Sequence, residues 1–280
     1  NATYSYLANS ALISQILLKQ NTTTRMTVTR QFDLLNRLTL INSVGTGSTP
    51  SAISAAYDYN DANQRVRVTL HDGSFWVYEY DRLGQVIAGK KYWSDWIPVP
   101  GQQFEYGFDD IGNRTSTKAG GDSAGSGLRW AGYTNNVLNQ LTSRGVPGAV
   151  DVLGMANRDA TVTVNSQATW RRGEYFHREQ AINNTNAPQY TLITVQASQG
   201  GTNTAKAGYV YLPQTPEAFS HDLDGNVTSD GRWNYTWDAE NRLIRLVART
   251  GVGPQQRLDF AYDAQGRRIG KKVWPNTGGT

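Results

Sequence analysis

The chain has 280 residues with 27 Lys+Arg against 23 Asp+Glu, and its formal net charge of +4 is spread along the sequence, so no nucleic-acid partner is expected. It has no cysteine, which excludes disulfides and thiolate metal sites, and no apolar run approaches the ~18 residues of a bilayer span. Gly 28, aromatics at 11% and charged residues at only 18% suit turn-rich β structure, with Asn, Thr, Ser and Gln filling the polar positions as in many exported β proteins.

The first segments state a pattern loosely. Tyr4-Ser5-Tyr6-Leu7 has aromatics two apart, Phe32-Asp33 leads to Asn36 and Leu38, and Tyr57-Asp58-Tyr59-Asn60 leads to Asn63. The pattern is explicit in Tyr78-Glu79-Tyr80-Asp81-Arg82-Leu83-Gly84-Gln85-Val86 and in Tyr106-Gly107-Phe108-Asp109-Asp110-Ile111-Gly112-Asn113-Arg114. Tyr133-Thr134-Asn135-Asn136, leading to Asn139 and Leu141, is a looser copy. After a long gap come Phe219-Ser220-His221-Asp222 with Gly225 and Val227, then Tyr235-Thr236-Trp237-Asp238-Ala239-Glu240-Asn241-Arg242-Leu243, then Phe260-Ala261-Tyr262-Asp263-Ala264-Gln265-Gly266-Arg267-Arg268. Recurrence every few tens of residues marks a repeat architecture.

Each copy reads as a β-hairpin. Aromatics two apart point to one face of a strand and suit a pleated, half-buried surface. The Asp closes the strand and accepts backbone N–H groups of the turn. The Gly or Asn three residues on supplies the left-handed corner of a longer hairpin loop. Alternation then resumes, as in Gln85-Val86-Ile87 and Arg242-Leu243-Ile244.

The gap between Arg144 and Glu217 holds different material, bracketed by Pro147-Gly148 and Pro213-Gln214-Thr215-Pro216. Val150–Gly154 reads as a short strand and turn, Ala160–Asn165 and Trp170–Phe176 as strands, and Tyr190–Ala197 as the strongest strand of the chain. Gly208–Leu212 follows a Gly/Thr/Asn-rich turn. About five short strands with turn punctuation predict a small β-sandwich or sheet inserted into the array. The opening Asn1-Ala2-Thr3 has neither an initiator Met nor signal-peptide character, and the chain is expected to be a fragment of something larger.

Chemistry is weighed against architecture at each candidate. Paired repeat acids could serve glycoside hydrolysis, but the same position in every hairpin makes turn capping the better reading. Asp222-Leu223-Asp224-Gly225-Asn226 with Asp230 is part of a calcium-loop pattern, yet it lacks the closing Glu and falls on the repeat. His71, His177 and His221 make no metal or triad spacing. Trp76, Tyr92, Trp93 and Trp96 with Lys90 and Lys91 form a local aromatic cluster, read as packing rather than as a sugar or single-strand platform. Trp170, Tyr175 and Tyr190 of the insert leave sugar binding and core packing both open.

The aromatic-x-aromatic-Asp-x-x-Gly phrase resembles the YD repeat of Rhs proteins, of the B and C components of insecticidal toxin complexes, and of teneurins. The copies at Tyr78–Val86, Tyr106–Arg114, Phe219–Val227, Tyr235–Leu243 and Phe260–Ile269 carry it most fully. The resemblance implies a ribbon of stacked hairpins wound into a hollow shell, which in such toxins encloses a C-terminal toxic domain. The self-cleaving Asp-Pro-x-Gly segment of many Rhs shells has no match here, so autoproteolysis is assigned to no residue.

The expected fold is all-β: antiparallel YD-repeat hairpins at 1–143 and 218–280 forming a curved ribbon or partial shell, with a small β-sandwich-like domain at 144–217. The structural signature comprises Tyr78, Tyr80, Asp81, Gly84, Tyr106, Phe108, Asp109, Gly112, Asp222, Gly225, Tyr235, Trp237, Asp238, Asn241, Phe260, Tyr262, Asp263 and Gly266. No catalytic, cofactor or metal residue is assigned. The expected role is non-enzymatic, a shell segment of a secreted or cell-surface protein. Its partners would be the rest of a larger Rhs-like chain or copies of itself, with a toxin or cargo domain. The alternative is a surface adhesin or carbohydrate-binding repeat protein with a glycan partner.

Overall fold

The computed structural model describes residues 1–47 and 52–279, and every regular element among them is a β-strand. All strand pairing is antiparallel, and the residues fall into two compact units.

The first unit comprises residues 1–105 and 121–127. It contains β1 (Ala2–Tyr6), β2 (Ile13–Gln20), β3 (Thr23–Phe32), β4 (Leu38–Gly45), β5 (Ala52–Tyr59), β6 (Arg65–Leu70), β7 (Phe75–Tyr80), β8 (Val86–Tyr92) and the first part of β9 (Pro98–Phe108). Each strand pairs with its neighbour in sequence. Period-2 alternation sorts the side chains of β7 onto two faces. Phe75 points one way and packs on Tyr92 and Trp96, with ring centroids 5.6 and 4.6 Å away. Trp76 points the other way and stacks on Tyr78 and Phe104. The aromatic cluster expected around Tyr92 and Trp96 therefore loses Trp76 to the opposite face and gains Phe75. Buried Gln103 donates to the Lys91 and Val99 carbonyls at 2.6 and 3.2 Å, so its polar end is satisfied inside the sheet.

The second unit comprises residues 106–120 and 128–280, described to 279. β10 (Arg114–Gly120), β11 (Leu128–Asn135) and β12 (Leu141–Arg144) continue as hairpins. Seven strands intervene: β13 (Ala149–Met155), β14 (Thr161–Val164), β15 (Gln167–Ala168), β16 (Trp170–Arg172), β17 (Tyr175–Ala181), β18 (Gln189–Gln199) and β19 (Thr202–Leu212). The chain then resumes with β20 (Glu217–Ala218), β21 (Ser220–His221), β22 (Val227–Ser229), β23 (Trp233–Trp237), β24 (Leu243–Ala248), β25 (Arg257–Tyr262) and β26 (Arg268–Trp274). β12 pairs directly with β20, Ser143 opposite Ala218 and Arg144 opposite Glu217. β21 to β26 pair in chain order.

The intervening strands make two small sheets, a three-stranded one ordered β13-β17-β16 and a four-stranded one ordered β15-β14-β18-β19. Val162, Val164 and Phe176 are buried where β14 packs on β17. Val146, Ile182 and Leu212 form a second cluster at the neck, with Val150 and Val210 against it. Asn184, 1% exposed, locks this neck: its Nδ2 donates to the Val146 and Pro213 carbonyls, on the entering and leaving chains.

Three strand expectations change. Trp170–Phe176 is a hairpin, not one strand, because Gly173 turns the chain at φ +55°. β13 runs through Gly154, whose backbone lies so near Phe176 that a Cβ there would sit 2.9 Å from the ring. β19 starts at Thr202, and the turn is Gly200-Gly201 alone.

Candidate functional site

The repeated loop is the most regular feature of both units. In each copy the marker residue's N–H donates to the carbonyl four residues on, and its own carbonyl accepts the N–H three residues on. This holds at Asp33, Asn60, Asp81, Asp109, Asn136, Asp222, Asp238 and Asp263. The third loop residue is left-handed every time: Asn36, Asn63, Gly84, Gly112, Asn139, Gly225, Asn241 and Gly266 have φ between 57° and 90°. Only Gly and Asn adopt that region at little cost, which explains the fixed offset. The marker oxygen closes the loop. Asp81 Oδ1 accepts the N–H groups of Leu83 and Gln85, and Asp109, Asn136, Asp222, Asp238 and Asp263 repeat the geometry. Asp122 caps an identical loop with Gly125 at its corner, a copy without the aromatics that would signal it.

In most copies the residue after the corner matches the marker. Five Asp markers meet a donor: Arg37, Arg242 and Arg267 guanidinium groups, or Asn113 and Asn226 amides, on the second carboxylate oxygen. Asn markers meet an acceptor, with Asn60 and Asn136 donating to Gln64 and Gln140 at 2.7 Å. In three copies the same residue also reaches the next copy's corner. Arg37 donates to Asn63, Asn113 to Asn139 and Asn226 to Asn241. Gln140 lies against Gly225, so the turns before and after the insert are neighbours.

The second aromatic ties each copy to the one before it. Tyr59 Oη donates to the Leu38 carbonyl, Tyr80 to Arg65 and Tyr262 to Leu243, while Trp237 Nε1 donates to Val227. Every acceptor is the first residue of the preceding return strand. A polar tip bonded to backbone lets a half-buried ring pack without stranding its donor. Tyr106 and Phe108 instead sit under the Arg114 guanidinium, and Phe260 under Arg268. The pairing register also slips by one residue just before the loop, as at Glu79/Tyr80, Thr236/Trp237 and Ala261/Tyr262. Such a bulge adds local right-handed twist.

The repeat acids are engaged in these loops. Asn113's amide, then backbone N–H groups, hold Asp109 below the usual carboxylate range. The backbone N–H and guanidinium of Arg242 do so for Asp238, and those of Arg267 for Asp263. Asp222 gives both oxygens to its own loop, and Asp224, Gly225 and Asn226 follow as loop residues. Among the described residues no group of three His, Asp or Glu side chains comes together as a metal site would require.

The insert is held to the hairpins by ion pairs. Arg144 meets Glu217 at 2.6 Å, and the Glu217 side chain is only 3% exposed. Arg129 of β11 pairs with Asp151 of β13 and Glu179 of β17. His177 completes the group, its Nε2 2.7 Å from Asp151 Oδ1. The donors from His177 and Arg129 outweigh the cost of burial and keep Asp151 ionised to low pH. Trp170 packs edge-on against Tyr175, and Tyr190 stacks on Tyr209 at 4.6 Å. Between the two insert sheets lies a cleft of about 700 Å3, which the sequence did not signal.

Comparison with known proteins agrees with the loop pattern. The RHS Repeat family matches residues 59–93, the stretch that carries the Asn60 and Asp81 loops. The tRNA3(Ser)-specific nuclease WapA of Bacillus spizizenii is 36% identical over 87 residues, which is 30% of this chain and 4% of that protein. The tRNA nuclease WapA of Bacillus subtilis is 34% identical over the same length and shares. This chain thus matches only a small part of its curated relatives. A solved complex of TcdB2, TccC3 and Cdc42 aligns over 97% of this chain and 13% of its own, with TM-score 0.46 and 14% identity. Its repeats are thus similar to those of the Rhs/YD-repeat family, with the family match itself confined to residues 59–93.

Proposed function

We propose that this chain is a non-enzymatic segment of the β-shell of a larger Rhs-type protein, one that encloses or presents a toxin or cargo domain. The observation that carries the reading is the engagement of the repeat acids. Each marker carboxylate is bonded within its own loop, and three of the loops are bonded to the corner of the next. The WapA relatives are named as tRNA nucleases, and the matched part is 4% of their length. A nuclease domain elsewhere in such a chain fits both facts.

The partner on this reading is the remainder of the larger chain together with its cargo. Aliphatic side chains at the loop tips, Leu34 and Leu83 in the first unit and Val137 and Leu223 in the second, stand free of cover and suit burial against further chain. The division into repeats at 1–143, an insert at 144–217 and repeats at 218–280 is part of the same proposal. So are the structural role of the signature residues and a location outside the cell. No helix among the described residues is long and apolar enough to cross a membrane. The aromatic tips are bonded to backbone carbonyls, which favours this reading over a glycan platform.

Two measurements test it. Incubated with tRNA, the isolated chain should leave it intact. In the whole gene product, protease should spare the cargo domain until the repeats are cut. Cleavage of tRNA by this chain, lost on Asp109→Asn or Asp238→Asn without unfolding, would overturn the proposal, as would a cargo domain digested as fast as the free domain.

A further inference from the structure

The insert is a sandwich with one strand too few. Its sheets lie with β16 toward β15, where Arg178 of β17 donates to the Ala168 carbonyl, and with β17 on β14. On the other side Gly154 and Met155 of β13 lie across a gap from Val195 and Ala197 of β18 and Thr204 and Lys206 of β19. The cleft of about 700 Å3 occupies that position. Its floor is Val162, Val195 and Ala197, and its walls are Met155 on one sheet and Thr204 and Lys206 on the other.

Both flanking strands end in open edges. Among the described residues β13 pairs only with β17. The bonds from Ile182 N–H to the Gly148 carbonyl and from Ala156 N–H to the Glu174 carbonyl fix its phase. Residues in phase with these two turn their backbone groups to β17, so the N–H and C=O of Leu153 and Met155 point outward. Among the described residues β19 pairs only with β18, and it is exposed along most of its eleven residues. Long unpaired edges are what natural sheets guard, unless they receive a strand. The one charged side chain on the cleft wall, Lys206, forms no salt bridge among the described residues.

We propose that the cleft accepts a strand: an extended peptide segment of a partner adds to the free edge of β13 and covers β18 and β19. Its alternate residues are aliphatic and face Val195 and Ala197, and an acidic residue faces Lys206. Main-chain bonds to Leu153 and Met155 give the affinity, and the small-walled cleft and the cation give the selection. The volume suits this: a cleft of several hundred cubic ångströms is of ligand-binding size, and a strand of ~5–6 residues is the common length.

The test uses the whole chain and a phage-displayed library of random nine-residue peptides. Recovered peptides should alternate aliphatic and polar residues and carry Asp or Glu at a fixed position. Lys206→Glu should weaken them at least tenfold, and Thr204→Trp, which fills the cleft from an exposed edge, should abolish binding with an unchanged melting temperature. A proline placed mid-peptide should also abolish it, since proline cannot donate to the ladder. Hydrogen exchange at Leu153 and Met155 should slow at least tenfold on binding. The proposal fails if no peptide is enriched, if proline-broken peptides bind equally, if Thr204→Trp binds normally, or if dodecanoate is taken up where no peptide is.

Discussion

Arg144 and Glu217 lie 73 residues apart in sequence, yet they are opposite partners in one antiparallel ladder, joined guanidinium to carboxylate at 2.6 Å. Glu217 also accepts the Gly231 N–H, so one buried carboxylate fastens the strand before the insert to the loop after it. Arg144→Ala strands that carboxylate and should cost about 2–3 kcal/mol. Urea unfolding checks this, and Glu217→Gln in the same background should recover part of the loss.

The same ladder sets a test for the insert's independence. With residues 145–216 replaced by an Asn-Gly pair, Arg144 and Glu217 would face each other across an ordinary two-residue hairpin. The shortened chain should stay folded, with the Gln140 and Gly225 loops still neighbours by amide-proton contacts. Collapse into an aggregate would count against a spliced domain.

At Gly266 nothing lies within 4 Å of where a Cβ would be, so substitution there reads backbone strain alone at φ +73°. Gly266→Ala should cost about 1–2 kcal/mol. Gly266→Asn should cost clearly less, since Asn already holds the equivalent corner at residues 36, 63, 139 and 241. Equal losses would mean that the corner is not what selects these residues.

Asn136 gives its side-chain oxygen to the N–H groups of Leu138 and Gln140. Asn136→Ala removes both bonds and should destabilise by about 1–2 kcal/mol. Asn136→Asp should be far milder, because Gln140 can turn its amide to donate. Thermal melts of the two variants distinguish loop capping from general packing.

The loops also set an acid limit. Asp109, Asp238 and Asp263 are held below their ordinary value of 3.8 in the folded chain. A depressed folded pKa contributes stability that is complete above the unfolded pKa and is lost as pH falls through the folded one. Urea midpoints should therefore be flat with respect to these groups near neutrality and fall from ~pH 4 downward. Asp109→Asn, bonded through its amide instead, should show a shallower fall.

Much of the repeat was legible because its loop needs particular residue types at fixed offsets. Asp81, Gly84 and the aromatic pair before them are each the chemically simplest answer to a local demand. The matching of marker to partner, Asp33 with Arg37 but Asn60 with Gln64, is in the sequence too, but only knowledge that the two side chains touch reveals it. The bulge before each loop leaves no residue signature. Trp76 was placed with Trp96 because nearness in sequence hides the alternation of faces. The polar start of β19, Thr202 to Lys206, reads as a turn because an edge strand covered on neither side has no buried positions to set a period. The cleft beside it was invisible for the same reason: it is defined by a strand that the sheet lacks.

The bonds from loop to next corner, Arg37 to Asn63, Asn113 to Asn139 and Asn226 to Asn241, give those neighbours a nearest-neighbour grammar. There a repeat specifies the one beside it through a donor and an acceptor, whatever the chain does on the far edge between them. Gene duplication can therefore lengthen such an array one hairpin at a time, and a foreign domain can enter at a far-edge connection, as between Arg144 and Glu217, without disturbing the count.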